Sequence, residues 1–400
     1  MSGRRVLATS LAALLMPASL VIATEASSAS DDTTVTTSAR QAKQRVKLQA
    51  LPQIVQQGKG EASANSAKAG ITATIKPAKV GRPAQLQMKS GSKWRTVSKT
   101  RQNSKGRFEF AAKASKNGKA IDYRVVGLPY KGLGKVTSKS VSTQRWLSPS
   151  WTDEFSGSTL GAQWSHRATD YSPESLRACS KASPAAVKVS GGAVHLSVMK
   201  DPARSDKCVA KKDGRSTGRY AYRVNGHIGA EGHVSIKYGF AAARIKTHKR
   251  RGQHGGFWMQ PAASVAGATN PKLTGAEIDV IEYFGDKHPQ GGLTSFIYSK
   301  NSKGQDVKTG SWIKNPTSFL KNRRDGWSKN YHVFSVEWTP RMYIFRIDGK
   351  ETWRTKVGVS GQPEFPILSL LASDYEISQL GGDSRLPQTM HVDWIRLWQA

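Results

Sequence analysis

The stretch Gly275-Ala276-Glu277-Ile278-Asp279-Val280-Ile281-Glu282-Tyr283 sets three carboxylates among β-branched residues. In an extended strand side chains alternate, so Glu277 and Asp279 share one face while Ile278 and Val280 share the other. Glu282 falls out of that rhythm. A regular strand would turn it toward the apolar face, where an unpaired carboxylate costs several kcal/mol. One extra residue at Val280 or Ile281, a β-bulge, would return Glu282 to the face of the other two acids, and bulges gather beside active sites. Two carboxyls on one face, about 5 to 5.5 Å apart, can split a glycosidic bond with retention, one attacking the sugar and the other donating and later taking a proton. Glutamates separated by roughly 13 Å of extended backbone converge only where the strand bends and their side chains lean inward. Asp279, between them, would couple to one of them and help split their pKa values. Three acids on a strand also suit a solvated face or a calcium ion, although the Asp and Asn loop ligands of a calcium site are missing nearby.

Such a strand needs a sheet around it. From Trp151 onward, KYGFAAARIKTH, GGFWMQP, LTSFIYS, HVFSVEWTP, MYIFRIDGK, PILSLLAS and MHVDWIRLW read as further strands between Gly and Asn turns. They add up to one large antiparallel sandwich or barrel. Ahead of them ITATIKP, AQLQMKS, WRTVSKT, GRFEFAA and IDYRVVG alternate at short, regular spacing, the pattern of a small β-sandwich. Arg4 and Arg5 precede an apolar run over residues 6–23 with small residues after it, which reads as an export signal. The expected organisation is all-β: signal peptide 1–29, linker 30–45, a basic sandwich over 46–146 and the acid-bearing domain over 147–400. Outside the cell the two cysteines, Cys179 and Cys208, are expected to form a disulfide.

The formal charge is +33. Between residues 31 and 150 the acids are Asp31, Asp32, Glu61, Glu109 and Asp122, against roughly two dozen Lys and Arg. Such a surface attracts anionic wall polymers, acidic polysaccharides or released nucleic acid, and it also serves solubility alone. Neither an aromatic-interleaved RNA-binding signature nor a DNA-reading helix accompanies it. No cofactor, metal or membrane partner is expected, and the chain reads as a secreted monomer, free or held at the cell wall by its charge.

Residues 151–400 resemble the family 16 glycoside hydrolases. EIDVIE matches the longer, bulged form of that family's acid motif, typical of its laminarinase-like endo-β-glucanases. WTDEFSG is similar to the family's opening strand, YGFAAARIK to the strand leading to the cleft, GFWMQP to the strand before the acids, HVFSVEWTPRMYIFRIDGK to its hairpin and MHVDWIRLW to its closing strand. The resemblance implies a concanavalin A-like β-jelly roll that binds polysaccharide, with Glu277 as nucleophile, Glu282 as general acid and base, and Asp279 as assisting carboxylate. Trp258, Tyr283, Tyr298 and Trp338 are aromatics that could stack on sugar rings, Trp258 and Trp338 at positions that match the family's motifs, and His254 and Arg244 complete the candidate substrate-binding residues. The expected substrate is a β-1,3- or β-1,3(1,4)-glucan. A galactan or acidic glycan, or a lectin-like binder that does not cut, are the other readings. His254-Gly255 stands where the family often has Trp-Pro, and LTSFIYS lacks a histidine common after the acids, offering Ile297 or Tyr298 instead. KPAKVGRPAQLQMKSGSKWRTV and NSKGRFEF resemble immunoglobulin-like accessory domains, which implies a fold and names no ligand.

Overall fold

A computed structural model describes residues 43–400, so the expected signal peptide and all but the last residues of the linker lie outside the described residues. The first strands are β1 (Arg45–Ala50), β2 (Lys68–Lys76), β3 (Pro83–Ser90), β4 (Lys93–Arg101), β5 (Arg107–Lys113), β6 (Asp122–Gly127) and β7 (Val141–Ser142). They pair as β1-β2-β5 and β7-β6-β3-β4. Alternation turns Ile71, Ala73 and Ile75 of β2 and Phe108 and Phe110 of β5 inward onto Leu86, Tyr123 and Val125 of the other sheet, and these residues share one core.

The larger part consists of β8 (Ala193–Lys200), β9 (Arg223–Gly229), β10 (Gly239–Lys246), β11 (His254–Pro261), β12 (Glu277–Tyr283), β13 (Leu293–Lys300), β14 (Asp306–Trp312), β15 (His332–Thr339), β16 (Met342–Ile347), β17 (Lys350–Thr355), β18 (Glu364–Leu371) and β19 (Gln388–Gln399). One antiparallel path, β14-β13-β12-β11-β18-β9-β8-β19-β10-β15-β16-β17, curls on itself as a jelly roll. Phe257, Ile278, Ile297 and Leu368 from β11, β12, β13 and β18 meet Leu196, Phe334, Phe345 and Ile395 in a common core. Cys179 and Cys208 form a disulfide with Cα atoms 5.5 Å apart.

A third core joins the two parts. The chain between β1 and β2 lays Leu51 and Ile54, with Trp146, on Phe240, Val333, Trp394 and Trp398 at the back of β10, β15 and β19. Each large apolar side chain buried this way stabilises by about 1.5–3 kcal/mol. Polar contacts surround it: Gly58 and Tyr331 exchange two backbone hydrogen bonds, and Trp394 Nε1 donates to Gln56 Oε1 at 2.6 Å.

Candidate active site

The bulge lies on β12. Asp279 pairs with Phe296 and Glu282 with Thr294, so Val280 and Ile281 together oppose the single Ser295 of β13. On the other side Asp279 pairs with Trp258 and Ile281 with Phe257. Ser295 Oγ donates to the Val280 carbonyl at 2.9 Å, satisfying an acceptor that the interrupted ladder leaves over. Ile278, Val280, Ile281 and Tyr283 therefore point into the core, and Glu277, Asp279 and Glu282 share the opposite face. The start of β12 is fixed as well. Gly275 has φ +75°, and a Cβ there would lie 2.3 Å from that of Pro261, so only glycine makes this turn without strain. Next to it the Ala276 amide donates to Glu364 at 3.2 Å. Burial pushes the carboxyl of Glu364 up to about 8, so it remains protonated at neutral pH.

The three acids line a cavity of about 210 Å³ with His254, Trp258 and Tyr298. Gln260 Nε2 donates to Glu277 at 3.0 Å, and Thr294 Oγ1 donates to Glu282 at 3.0 Å. Burial raises Glu277, the Glu282 charge adds to this, and the Gln260 bond opposes it. Asp279, 5 % exposed, is pushed well above the usual carboxylate range by burial and then by both glutamates. Burial between two glutamates thus favours its protonated, neutral form. Burial disfavours the His254 imidazolium, but the Glu376 carboxylate, 2.6 Å from Nδ1, outweighs it and raises His254. Trp258 donates to Ser369 Oγ at 3.0 Å and stacks on His227, which burial lowers to about 3 and keeps neutral. Side by side across the sheet, register aligns His227, Ser369, Gly256, Glu282, Thr294 and Trp312. Six strands at 4.7–4.9 Å spacing make a trough of about 24 Å.

Three expected binding residues lie elsewhere. Tyr283 is 1 % exposed, because the bulge that turns Glu282 outward sends the next residue inward; its hydroxyl donates to Asp286 and its ring meets His248. Trp338, on β15, faces the core against Tyr238 and Tyr343 and donates to the Ser360 carbonyl at 3.3 Å. Arg244 lies on the back of β10, paired with Asp393 at 2.6 Å and donating to the carbonyls of Gln56 and Gly60. It fastens the N-terminal segment and is remote from the acids' face. The cavity also holds residues not anticipated: Leu176, Arg177, Ser369 and Tyr375. Gln260 was legible, since His254, Gly256, Trp258 and Gln260 alternate onto one face of β11. Tyr375 lies in the one-turn helix Asp374–Ile377 and Arg177 in an irregular loop, where no periodicity marks a face.

A jelly roll crossed by an acid-lined trough is the architecture of a glycoside hydrolase, an enzyme acting on O-glycosyl bonds. Residues 192–396, just over half the chain, match the family model described as Glycosyl hydrolases family 16, and the chain belongs to that family. It is similar in fold to the laminarinase catalytic domain from Thermotoga maritima MSB8, at 18% identity and TM-score 0.47 over 63% of this chain and 98% of that one. It is likewise similar to the endo-β-1,3-glucanase from Pyrococcus furiosus (18% identity, TM-score 0.46, 62% and 92% covered) and to the laminarinase from Flavobacterium sp. UMI-01 (19%, 0.45, 63% and 100%). Sequence comparison with curated proteins finds no match.

Proposed function

We propose that the protein is a secreted, monomeric endo-glycosidase that cleaves a β-linked polysaccharide with retention of configuration, β-1,3- and β-1,3(1,4)-glucans being the class indicated by the bulged EIDVIE motif. The observation that carries this reading is the bulge, which gathers Glu277, Asp279 and Glu282 on one face of the trough. Glu277 Oε attacks the anomeric carbon as the bond to the leaving oxygen breaks and Glu282 gives that oxygen its proton. Glu282 then takes a proton from water, the hydroxide adds to the anomeric carbon, and the ester to Glu277 breaks. Asp279, on the same face between them, couples electrostatically to both glutamates. Trp258 and Tyr298 offer ring surface to sugars, and Gln260 holds Glu277 in place. The basic N-terminal sandwich retains the enzyme on an anionic extracellular polymer.

The test is release of reducing ends from β-1,3-glucan, mixed-linkage glucan and β-galactan, with the anomeric form of the first product read by NMR. Parent protein is expected to give the β-anomer first, and Glu277→Ala and Glu282→Ala to lose kcat by about 10³-fold or more. Cleavage that survives both substitutions would remove the assignment. Polysaccharide binding with no new reducing ends would favour a lectin-like protein.

A further inference from the structure

His254 is 4 % exposed, yet it lines the cavity of the three acids. Register places it there. Gly255 and Gly256 of β11 pair with Tyr283 and Glu282 of β12, so His254 stands two residues from the partner of Glu282 and on the same face. Such diagonal neighbours are about 7–8 Å apart, within reach of each other when the side chains are long or aromatic. No side chain intervenes at Gly256, where a Cβ would lie 3.2 Å from both Ser369 Oγ and the Trp258 ring. The orientation of the imidazole is fixed as well. Its Nδ1 is 2.6 Å from Glu376 Oε1, and its face stacks on Phe284 with centroids 5.2 Å apart. Glu376 is 2 % exposed, and the same Oε1 accepts the Ser373 amide at 3.0 Å. With Nδ1 committed to that carboxylate, Nε2 is left without a hydrogen bond among the described residues.

A buried imidazolium is costly unless carboxylates match it. Glu376 supplies one from the one-turn helix, and the charge of Glu282 on β12 adds to it in raising His254 against burial. The remaining ionisable groups around the ring offer it no anion. Arg177, from the loop before Cys179, opposes the imidazolium. His248, against Gly255, and His227 on β9 are lowered by burial to about 3 and stay neutral. Tyr375, beside Glu376, is pushed up to about 12 by burial and stays neutral too. His288, on the far side of Phe284, is lowered by burial and then by Arg251. Glu277 and Asp279 lie further along β12, beyond Glu282. Glu282 is therefore the carboxylate that the open side of His254 meets.

We infer that His254, held by Glu376, is the positioning residue of Glu282, orienting its carboxyl and balancing its charge each time Glu282 has given up its proton. This rests on the glycosidase reading for the role of Glu282. His254 transfers no proton: Glu282 gives its own to the leaving oxygen and regains one from water, while the imidazolium stands by as counter-ion. One test needs no turnover. The His254 ring is titrated by NMR in full-length parent protein, in Glu282→Gln and in Glu376→Gln. It is expected to lose its proton at lower pH in both variants, and further in Glu376→Gln, whose carboxylate is the larger of the two opposing charges. An unchanged titration in Glu282→Gln would overturn the inference. The second test is a double-substitution cycle on the 2,4-dinitrophenyl β-glycoside of a β-1,3-linked glucose disaccharide, whose leaving group departs without a proton and keeps turnover of Glu282→Gln measurable. His254→Gln is expected to lower kcat by about tenfold or more in the parent, and to cost nothing further in Glu282→Gln. Equal losses in both backgrounds would overturn the inference, since His254 would then act on the sugar or the fold instead of through Glu282. Glu376→Gln, which keeps the ring, takes the same place in the cycle if His254→Gln does not fold. Absence of turnover in the parent would remove the glycosidase reading and leave the titration to decide the coupling.

Discussion

Asp279 is the residue whose chemistry depends most on where the fold puts it. A carboxyl buried between two glutamates keeps its proton far above the unfolded value of about 3.9. The unfolded chain therefore binds fewer protons than the native one as pH rises beyond about 4, and stability contributed by this group falls until the native pKa is passed. Asp279→Asn removes that titration and keeps a donor. Its Tm relative to the parent is expected to rise as pH increases above about 4, while kcat/KM drops by about 10²-fold through loss of proton coupling to the glutamates. A Tm difference that shrinks over the same range would mean that Asp279 is ionised in the native protein. The types and spacing of Glu277, Asp279 and Glu282 were legible in the sequence because alternation is a local rule. The displacement of Tyr283 followed from the same rule, since a residue after an outward Glu282 must turn inward, and treating it as a sugar platform overlooked that.

At the scale of the element, the bulge sets which face Glu282 occupies. Val280 and Ile281 share one opposing residue, so removing Val280 would leave a regular strand in which all three acids still alternate onto the trough. Adding one alanine after Ile281 would instead turn Glu282 toward Phe257, Ile297 and the rest of the core. Deletion is expected to keep turnover within about 10²-fold of the parent, and insertion to lose at least about 10³-fold and to destabilise by several kcal/mol through a buried, unpaired carboxylate. Reducing-end assays with thermal melts would decide it. Equal activity of the two variants would mean that strand parity does not set the site. Strand existence was readable along most of the chain, yet Trp338 and Arg244 show the limit. Their motifs mark strands correctly, but whether a strand lies in the trough layer or behind it depends on its place in the twelve-strand path.

Across the whole molecule, charge and contact divide the N-terminal sandwich in two. Residues 43–150 hold 23 Lys and Arg against three acids. Two of those acids serve the junction with the jelly roll: Glu61 accepts the Tyr331 hydroxyl at 2.7 Å, and Glu109 accepts the Glu351 amide at 2.9 Å. What faces outward is thus cationic almost without opposition, as on β4, where Lys93, Arg95 and Lys99 are exposed. Full-length protein is expected to bind long-chain polyphosphate or polyglucuronate with an affinity that falls steeply and linearly in log salt. Replacing those three cations by Gln should weaken this binding and flatten the salt slope, with hydrolysis of a short oligosaccharide unchanged. Salt-independent binding, or binding indifferent to the three substitutions, would count against retention through this surface. By itself the sequence determined eight of the twelve strands of the jelly-roll path, missing β8, β9, β14 and β17, together with the acid triad, the need for a bulge and the excess of positive charge, because alternation, spacing and composition act over neighbouring residues. Tertiary structure alone decided that Arg177 and Tyr375 join the acids, that Arg244 and Trp394 bind the N-terminal segment, and that Asp279 is buried between two glutamates that raise its pKa. Each of those outcomes depends on contacts between residues far apart in the chain, and on burial, which exists only once both layers of the jelly roll have closed.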